Sequence, residues 1–442
     1  MFNLLATRRF FPLFGTQFLG ALNDNILKTT LLVLMAYHGL TVGGLGADFM
    51  ANLNNAVFVL PFFLFSATAG KLAEKVDKAI LIRWIKALEI GIMALASVGF
   101  VQHSAWILLV ALWLMGVHST FFGPIKYSIL PQCLEEKELV AGNAWIESGT
   151  FLAILIGQIA APFLAIQTPV WVIVTVVLVA VFGFFMCLFV PSALPTNPRL
   201  QLSWNVGRET THLVKCAWKN EETRIPILGI SWFWFVGAIL TSQLPLFVRG
   251  HIGGDESVLM LVLALFSIGI GIGSLLCARW SHGQVQWGLV LLGGLGLSVF
   301  TLGLAALYHE VYVGELQSLS YYATDTKAYA AAFCLMMLSC SAGLLTVPLY
   351  TALQLGSTDS FRSQSVAANN ILNGLYMVMG ACLSSVFLMV SKNLSYLFAC
   401  LAVANLLAVF HVLIINQTNF KSALHWLLTL TCLKSNTKNQ PN

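Results

Sequence analysis

Long apolar runs separated by short polar ones make up most of this chain. Twelve of them approach or exceed the roughly 20 residues an α-helix needs to cross the hydrocarbon core of a bilayer. They fall at about 10–37, 52–72, 80–101, 104–122, 140–166, 169–190, 225–248, 257–280, 285–307, 328–353, 365–390 and 394–415. None alternates strictly between apolar and polar positions, so a membrane barrel is disfavoured and helices are expected. The pattern predicts an all-α polytopic membrane protein with twelve transmembrane helices. The longest polar interruption splits them evenly: a six-helix bundle at 1–190, a cytoplasmic linker at 191–224, a second six-helix bundle at 225–416 and a cytoplasmic tail at 417–442.

Composition agrees with this pattern. Soluble chains are about 25% charged, whereas this one is 9% charged and 58% hydrophobic. Too few charges remain to cover a water-facing surface. With the N-terminus inside, the polar segments on the inner side collect 19 of the 23 Lys and Arg residues, among them Lys75, Lys86 and Lys126. The outer loops hold Arg249, Lys327 and Lys392, and Lys28 lies within the first span. This positive-inside bias puts both termini in the cytoplasm, and it explains the formal charge of +5 without nucleic-acid binding.

The opening "MFNLLATRRFFPLFGTQF" has no small-residue cleavage site, so a retained first helix is expected. The nine cysteines show neither zinc-like spacing nor a disulfide framework, and no metal or cofactor is expected. In the linker, Val206, Leu213, Val214, Ala217 and Trp218 share one helical face behind a Ser203 cap, which suits an interfacial helix. The tail segment "KSALHWLLTLTCLK" is too short to span and is expected on the inner surface.

Expensive residues mark candidate chemistry. The first span carries Asn23, Asp24, Asn25 and Lys28, and an ionised side chain at mid-membrane costs about 2.5–3.5 kcal/mol. Asp24 and Lys28 are four residues apart and can neutralise each other on one helix face. The flanking amides favour the other reading, a wet cavity. After Gly123 and Pro124, Lys126 and Tyr127 fit equally a membrane-surface anchor and a cation for phosphate. In span five, Asn143 and Glu147 are four apart; Asn369 and Asn373, beside Asn370, are their counterparts in span eleven. Amides of this kind can simply join helices, but Glu147 is a candidate cavity acid or proton site.

Two motifs have a packing or gating logic. "GKLAEKVDKAILIRWIK" resembles the signature loop of the major facilitator superfamily. Gly70, Leu72, Ala73 and Lys75 match it, while Glu74 stands for a usual Asp and Asp77 for a usual Gly. Its charges are expected to latch helix ends in one state of a transport cycle. "SIGIGIGS" looks superficially like a nucleotide loop, but Gly269 and Gly273 have small-xxx-small spacing, so close helix packing is expected. Pro61, Pro162, Pro245 and Pro348 fall inside spans, as transporters tolerate.

A weak repeat relates the two halves. "GPIKYSILPQ" parallels "VPLYTALQLG", and "AGNAWIESGTFLAILIG" parallels "AANNILNGLYMVMGACL". Tyr127 and Tyr350 are 223 residues apart, Asn143 and Asn369 226, each near half the chain. Two related six-helix halves resemble the major facilitator architecture, in which substrate binds between them at mid-membrane.

At "GALNDNILKTTLL", "FFGPIKYSIL", "AGNAWIESGTFLAILIGQIAA" and "VPLYTALQLGS…SVAANNILNGLYMVMGA" the chain resembles the bacterial lysophospholipid transporter family. The resemblance implies transfer of lysophospholipids, notably lysophosphatidylethanolamine, from the outer to the inner leaflet of the cytoplasmic membrane, where an associated acyltransferase reacylates them. It carries Asp24 and Asn25 onto the family's "DN" pair, Lys126 and Tyr127 onto "P-x-K-Y", and Asn143 and Glu147 onto "N-x-x-x-E". Some relatives have an arginine in helix seven. Here "SWFWFVGAILTSQLPLF" has none, and Thr241, Ser242 and Gln243 are its polar candidates. No HxxxxD acyltransferase signature is present, so a carrier and not an enzyme is expected. The competing reading is a proton-coupled carrier for another amphipathic or small solute, driven through Asp24 or Glu147.

Overall fold

The computed structural model describes residues 2–37, 39–42, 47–203, 205–391 and 393–436. Lys392 and Lys438 of the charge count lie outside them. The main helices are α1 (Phe11–Tyr37), α2 (Ala47–Lys75), α3 (Lys78–Val101), α4 (Ala105–Ser128), the single turn α5 (Leu130–Cys133), α6 (Leu139–Ala165), α7 (Pro169–Leu188) and α8 (Val206–Lys219). They continue with α9 (Glu221–Phe247), α10 (Glu256–Trp280), α11 (Trp287–Leu307), α12 (Thr326–Leu355), α13 (Arg362–Ser391), α14 (Leu394–Ile414) and α15 (Gln417–Asn436).

Eleven described helices are long and apolar enough to cross a membrane. The twelfth expected span is α3, whose 24 residues reach about 36 Å at 1.5 Å per residue but carry Lys78, Arg83, Lys86 and Glu89. The all-α polytopic expectation therefore holds. Pro61, Pro162, Pro245 and Pro348 all lie inside helices, and the turn after Pro245 widens into a π-helical segment, Val248–Ile252.

Local chemistry sets the helix starts. Asp77 accepts the Ala79 N–H at 2.8 Å to cap α3, and Asn393 accepts the Ser395 N–H at 2.8 Å to cap α14. Burial works against the Asp77 charge, but hydrogen bonds from Ser192, Ala193 and Ala79 outweigh it and hold the carboxyl below its ordinary range. The linker helix α8 is capped by Asn205, which takes the Arg208 N–H at 3.1 Å, and not by Ser203 as expected. Asn205 directly precedes the first helical residue, the position where a short polar side chain meets the free N–H groups. Of the expected apolar face, Leu213 and Ala217 are buried while Trp218 is exposed. Lys71 of α2 pairs with Glu209 of α8, and this bond holds Glu209 below the usual carboxylate range.

The chain forms two compact units, 1–223 with 354–374, and 224–353 with 375–442. The first thus contains the end of α12 and the first part of α13. Its apolar core includes Leu27, Leu31, Met93, Leu112, Met115 and Val176. In the second unit, the expected packing role of the α10 glycines is met. A Cβ on Gly273 would sit 1.9 Å from the Cys340 carbonyl oxygen, and one on Gly269 would sit 2.1 Å from the Ser339 hydroxyl.

Candidate functional site in the first unit

Successive residues on a helix point about 100° apart, so Asn23, Asp24 and Asn25 cannot share one surface. Asn23, expected beside Asp24 on a cavity, instead turns fully into the bundle. Its amide donates to Glu89 Oε1 at 2.9 Å and to the Val176 carbonyl at 3.2 Å. Asp24 and Lys28 keep partial exposure, as does Asn25, which bonds back to the Ala21 carbonyl at 2.8 Å. Asp24 Oδ2 accepts the Ser119 hydroxyl at 2.7 Å, and its buried Oδ1 has no hydrogen-bond partner among the described residues. No Asp24–Lys28 ion pair forms within 4 Å among the described residues; the Lys28 ammonium lies 5.3 Å from the centre of the Phe58 ring.

A second set gathers near the junction of α4 and α6. The Tyr127 hydroxyl donates to Glu147, both buried. Lys126 is half-buried, with its ammonium 4.7 Å from the Tyr127 ring centre. Asn143 and Gln354 pair amide to amide at 2.7 and 2.9 Å, and Gln354 also donates to the Tyr127 carbonyl at 3.0 Å. Of the α13 amides, Asn369 is wholly buried with neither side-chain atom bonded among the described residues; Asn373 is also buried.

The signature loop holds the start of α13. Glu74 accepts the Ser363 N–H at 2.5 Å and the Thr196 hydroxyl, and its carbonyl takes the Thr196 and Asn197 N–H groups, each at 3.0 Å. A carboxylate on a helix N-terminus meets free N–H groups and the positive end of the helix dipole. Gly70 permits the approach, since a Cβ there would stand 2.7 Å from Ala367 Cβ. Ser128 and Ser363 add a hydroxyl–hydroxyl bond of 2.9 Å. Lys75 is half-buried and makes no ion pair within 4 Å among the described residues.

Three charged or titratable residues escaped the sequence reading as a group. Lys86, expected among the inner-surface cations, is wholly buried and paired with Glu89 one turn on. His118 Nε2 lies 3.1 Å from the same carboxylate, although the ring's orientation gives neither nitrogen a hydrogen bond among the described residues. Two glycines make space for the ammonium: a Cβ on Gly183 would meet Lys86 Nζ at 2.8 Å, and one on Gly20 would meet it at 3.3 Å. The available signal was Glu89 three residues after Lys86 inside an apolar run, which marks an internal pair better than a surface cation. Gln354 stood inside the repeat but was read only as part of it.

A bundle of spanning helices with carboxylates, cations and amides turned inward is the build of a membrane carrier. The model of the Major Facilitator Superfamily matches residues 13–381, and the chain belongs to that family. Among its relatives is the lysophospholipid transporter LplT of Escherichia coli K12, 26% identical over 375 residues, covering 81% of this chain and 86% of the relative. The Citrobacter koseri protein of that name is 29% identical over 266 residues, 59% of this chain; the match spans 63% of the relative's length, just under two thirds. These relatives agree with the resemblance read from the four sequence stretches. Among solved structures, the human organic anion transporter MFSD10 aligns with TM-score 0.74 at 13% identity, covering 92% of this chain and 99% of that one. The Escherichia coli fucose:proton symporter aligns with TM-score 0.67 at 13% identity, covering 91% and 97%. At such identities the likeness concerns the fold, which is the major facilitator fold.

Proposed function

We propose that this protein carries lysophospholipids, lysophosphatidylethanolamine above all, from the outer to the inner leaflet of a bacterial cytoplasmic membrane. Reacylation by an acyltransferase at the inner face would follow. The relatives named as lysophospholipid transporters support the substrate class. The observation that carries the reading is Asp24, a partly exposed residue in a spanning helix whose buried Oδ1 has no hydrogen-bond partner among the described residues. Such a group suits the ammonium of a zwitterionic headgroup. Lys126, half-buried near Glu147 and Tyr127, supplies the cation for its phosphate. Asn25 and Asn369 offer amides to the remaining polar atoms, Asn143 acts through its pair with Gln354, and Lys28 and Glu147 balance the charge.

In this reading both termini face the cytoplasm, and two six-helix halves, 1–190 and 225–416, expose the site alternately to each side. Glu74 at the start of α13 is the latch that breaks and reforms in each cycle, with Lys75 beside it. Uptake of radiolabelled lysophosphatidylethanolamine into proteoliposomes, scored as the fraction protected from albumin extraction, tests the proposal. Asp24→Ala should lower uptake at least tenfold with unchanged thermal unfolding. Uptake at the wild-type rate would remove Asp24 from the site. Transport of small solutes from a competing panel, with no lysolipid uptake, would favour the proton-coupled alternative.

A further inference from the structure

The second unit has a pocket that the transport chemistry proposed above does not use. It lies among α9, α10, α11, α12 and the link at 308–325, and its lining is aliphatic and aromatic. On α10 the lining runs from Val258 to Leu265, and on α12 from Ala328 to Leu335. Each stretch rises about 10 Å along its helix. Most of these side chains are buried or half-buried, but Leu261 of α10 and Leu319 of the link are exposed, so the pocket opens there.

One end of the pocket is built like a membrane–water boundary. α10 and α12 start there, and α11 ends there. Tyr321 and Tyr329 are exposed close in sequence to the lining residues Tyr322 and Ala328, as are Val311, Val313 and Leu316 earlier in the link. Tyrosine, with an apolar ring and a polar tip, gathers where headgroups meet hydrocarbon. Lys327 is exposed and makes no ion pair within 4 Å among the described residues; its ammonium lies 4.3 Å from the centre of the Tyr308 ring. Tyr308 lines the pocket and is 5% exposed, and its buried hydroxyl has no hydrogen-bond partner among the described residues. A buried hydroxyl without an acceptor is costly. The link also carries the carboxylates Glu310, Glu315 and Asp325.

We propose that this pocket is a binding site for a zwitterionic phospholipid of the adjoining leaflet, the outer one in the orientation proposed above. One acyl chain enters past Leu261 and lies along α10 and α12, while the other stays in the bilayer. The phosphate sits by Lys327, an ester carbonyl accepts the Tyr308 hydroxyl, and the headgroup ammonium faces the carboxylates of the link. The sequence of groups along such a lipid thus matches the protein: apolar lining for the tail, then a hydroxyl donor, a cation and acids. Two-chain lipid is favoured over single-chain lipid by mass action, because it is the solvent of the spanning helices. No residue of this pocket belongs to the transport site, so the inference stands apart from the substrate reading.

The test reconstitutes the full chain in vesicles containing a trace of phosphatidylethanolamine with a photoactivatable group on one acyl chain, and maps the labelled residues by mass spectrometry. Val258–Leu265 and Ala328–Leu335 should take about fivefold more label than Val299 and Leu302, exposed residues of α11 that serve as the bulk-lipid control. Leu261→Trp, which plugs the mouth from an exposed position, should cut pocket labelling about fivefold and leave the control residues unchanged. Lys327→Gln and Tyr308→Phe should each cut it about two- to tenfold, the worth of one polar contact. Thermal unfolding shows whether the variants are folded, and Leu261→Phe serves if Leu261→Trp is not. Tyr308→Phe should be at least as stable as the wild type in lipid-free detergent, since it removes an unserved hydroxyl. Equal labelling of pocket and control residues overturns the inference, and so does any folded variant of the three labelled like the wild type. Stronger pocket labelling by a lysophosphatidylethanolamine probe, or by a hydrocarbon probe without a headgroup, at equal concentration assigns another occupant and also overturns it.

Discussion

The interiors of the two units are built on different principles. The first holds Lys86 and Glu89 without exposure, His118 and Glu147 nearly so, and Asp24, Lys28 and Lys126 partly sunk among its helices. The second is packed with apolar side chains and small residues. Among its buried polar groups is Asn405, which accepts the Trp232 indole N–H at 3.0 Å and donates to the Gly294 carbonyl at 2.9 Å and Ser298 at 2.8 Å. It also holds a partly open apolar pocket lined by Leu244, Phe247, Leu261, Leu265, Tyr308 and Leu335. Charges inside a membrane protein are costly unless paired, so their concentration in one unit sets the two interiors apart.

Truncations should differ in their effect between the units. Glu89→Ala should be the most damaging, by about 3–5 kcal/mol, because it strands the Lys86 ammonium in a dry core. Thermal unfolding in detergent and folded yield would measure it, and Glu89→Ala together with Lys86→Met should recover much of the loss. Gly273→Ala in the second unit drives a methyl into the Cys340 carbonyl and should cost about 1–3 kcal/mol, since two backbones must separate. Asn405→Ala breaks three hydrogen bonds and strands the half-buried Trp232 indole N–H, and a loss of about 1–3 kcal/mol is expected without any change in lysolipid headgroup preference. A change in preference there would erase the functional difference drawn between the units.

The smallest effect tests the loop that serves the first unit. Asp77→Asn should cost about 1 kcal/mol through a weaker α3 cap. Because the folded carboxyl is held below its ordinary value, its contribution is full above the unfolded pKa of about 3.9 and fades as pH falls through the lower folded value. The wild-type advantage in Tm should accordingly be present at pH 7 and shrink below about pH 4.

Much of this was legible in the residues. Apolar run length fixes a helix that must satisfy its own backbone in lipid, so the number and position of the spans were readable one segment at a time. The resemblance in four short stretches led to the same family that the comparisons support. Asp24 stood out because a carboxylate is conspicuous in an apolar run. Lys86 did not, because charge counting treats a cation near a helix end as surface, and only α1, α4 and α7 closing around α3 show otherwise. Asn23 and Asp24 look alike in the sequence, yet 100° of helix rotation sends one to Glu89 and leaves the other partly exposed.

Sequence by itself therefore determined what is decided along one helix: span, hydrophobicity and the presence of costly groups. Tertiary structure alone decided which costly groups meet. The Glu89 crossing joins residues 66 apart through Asn23, and the Glu74 carboxylate joins residues 289 apart through Ser363. A pairing between helices depends on their rotation and approach, and those are set by packing of the whole bundle, which no single segment encodes.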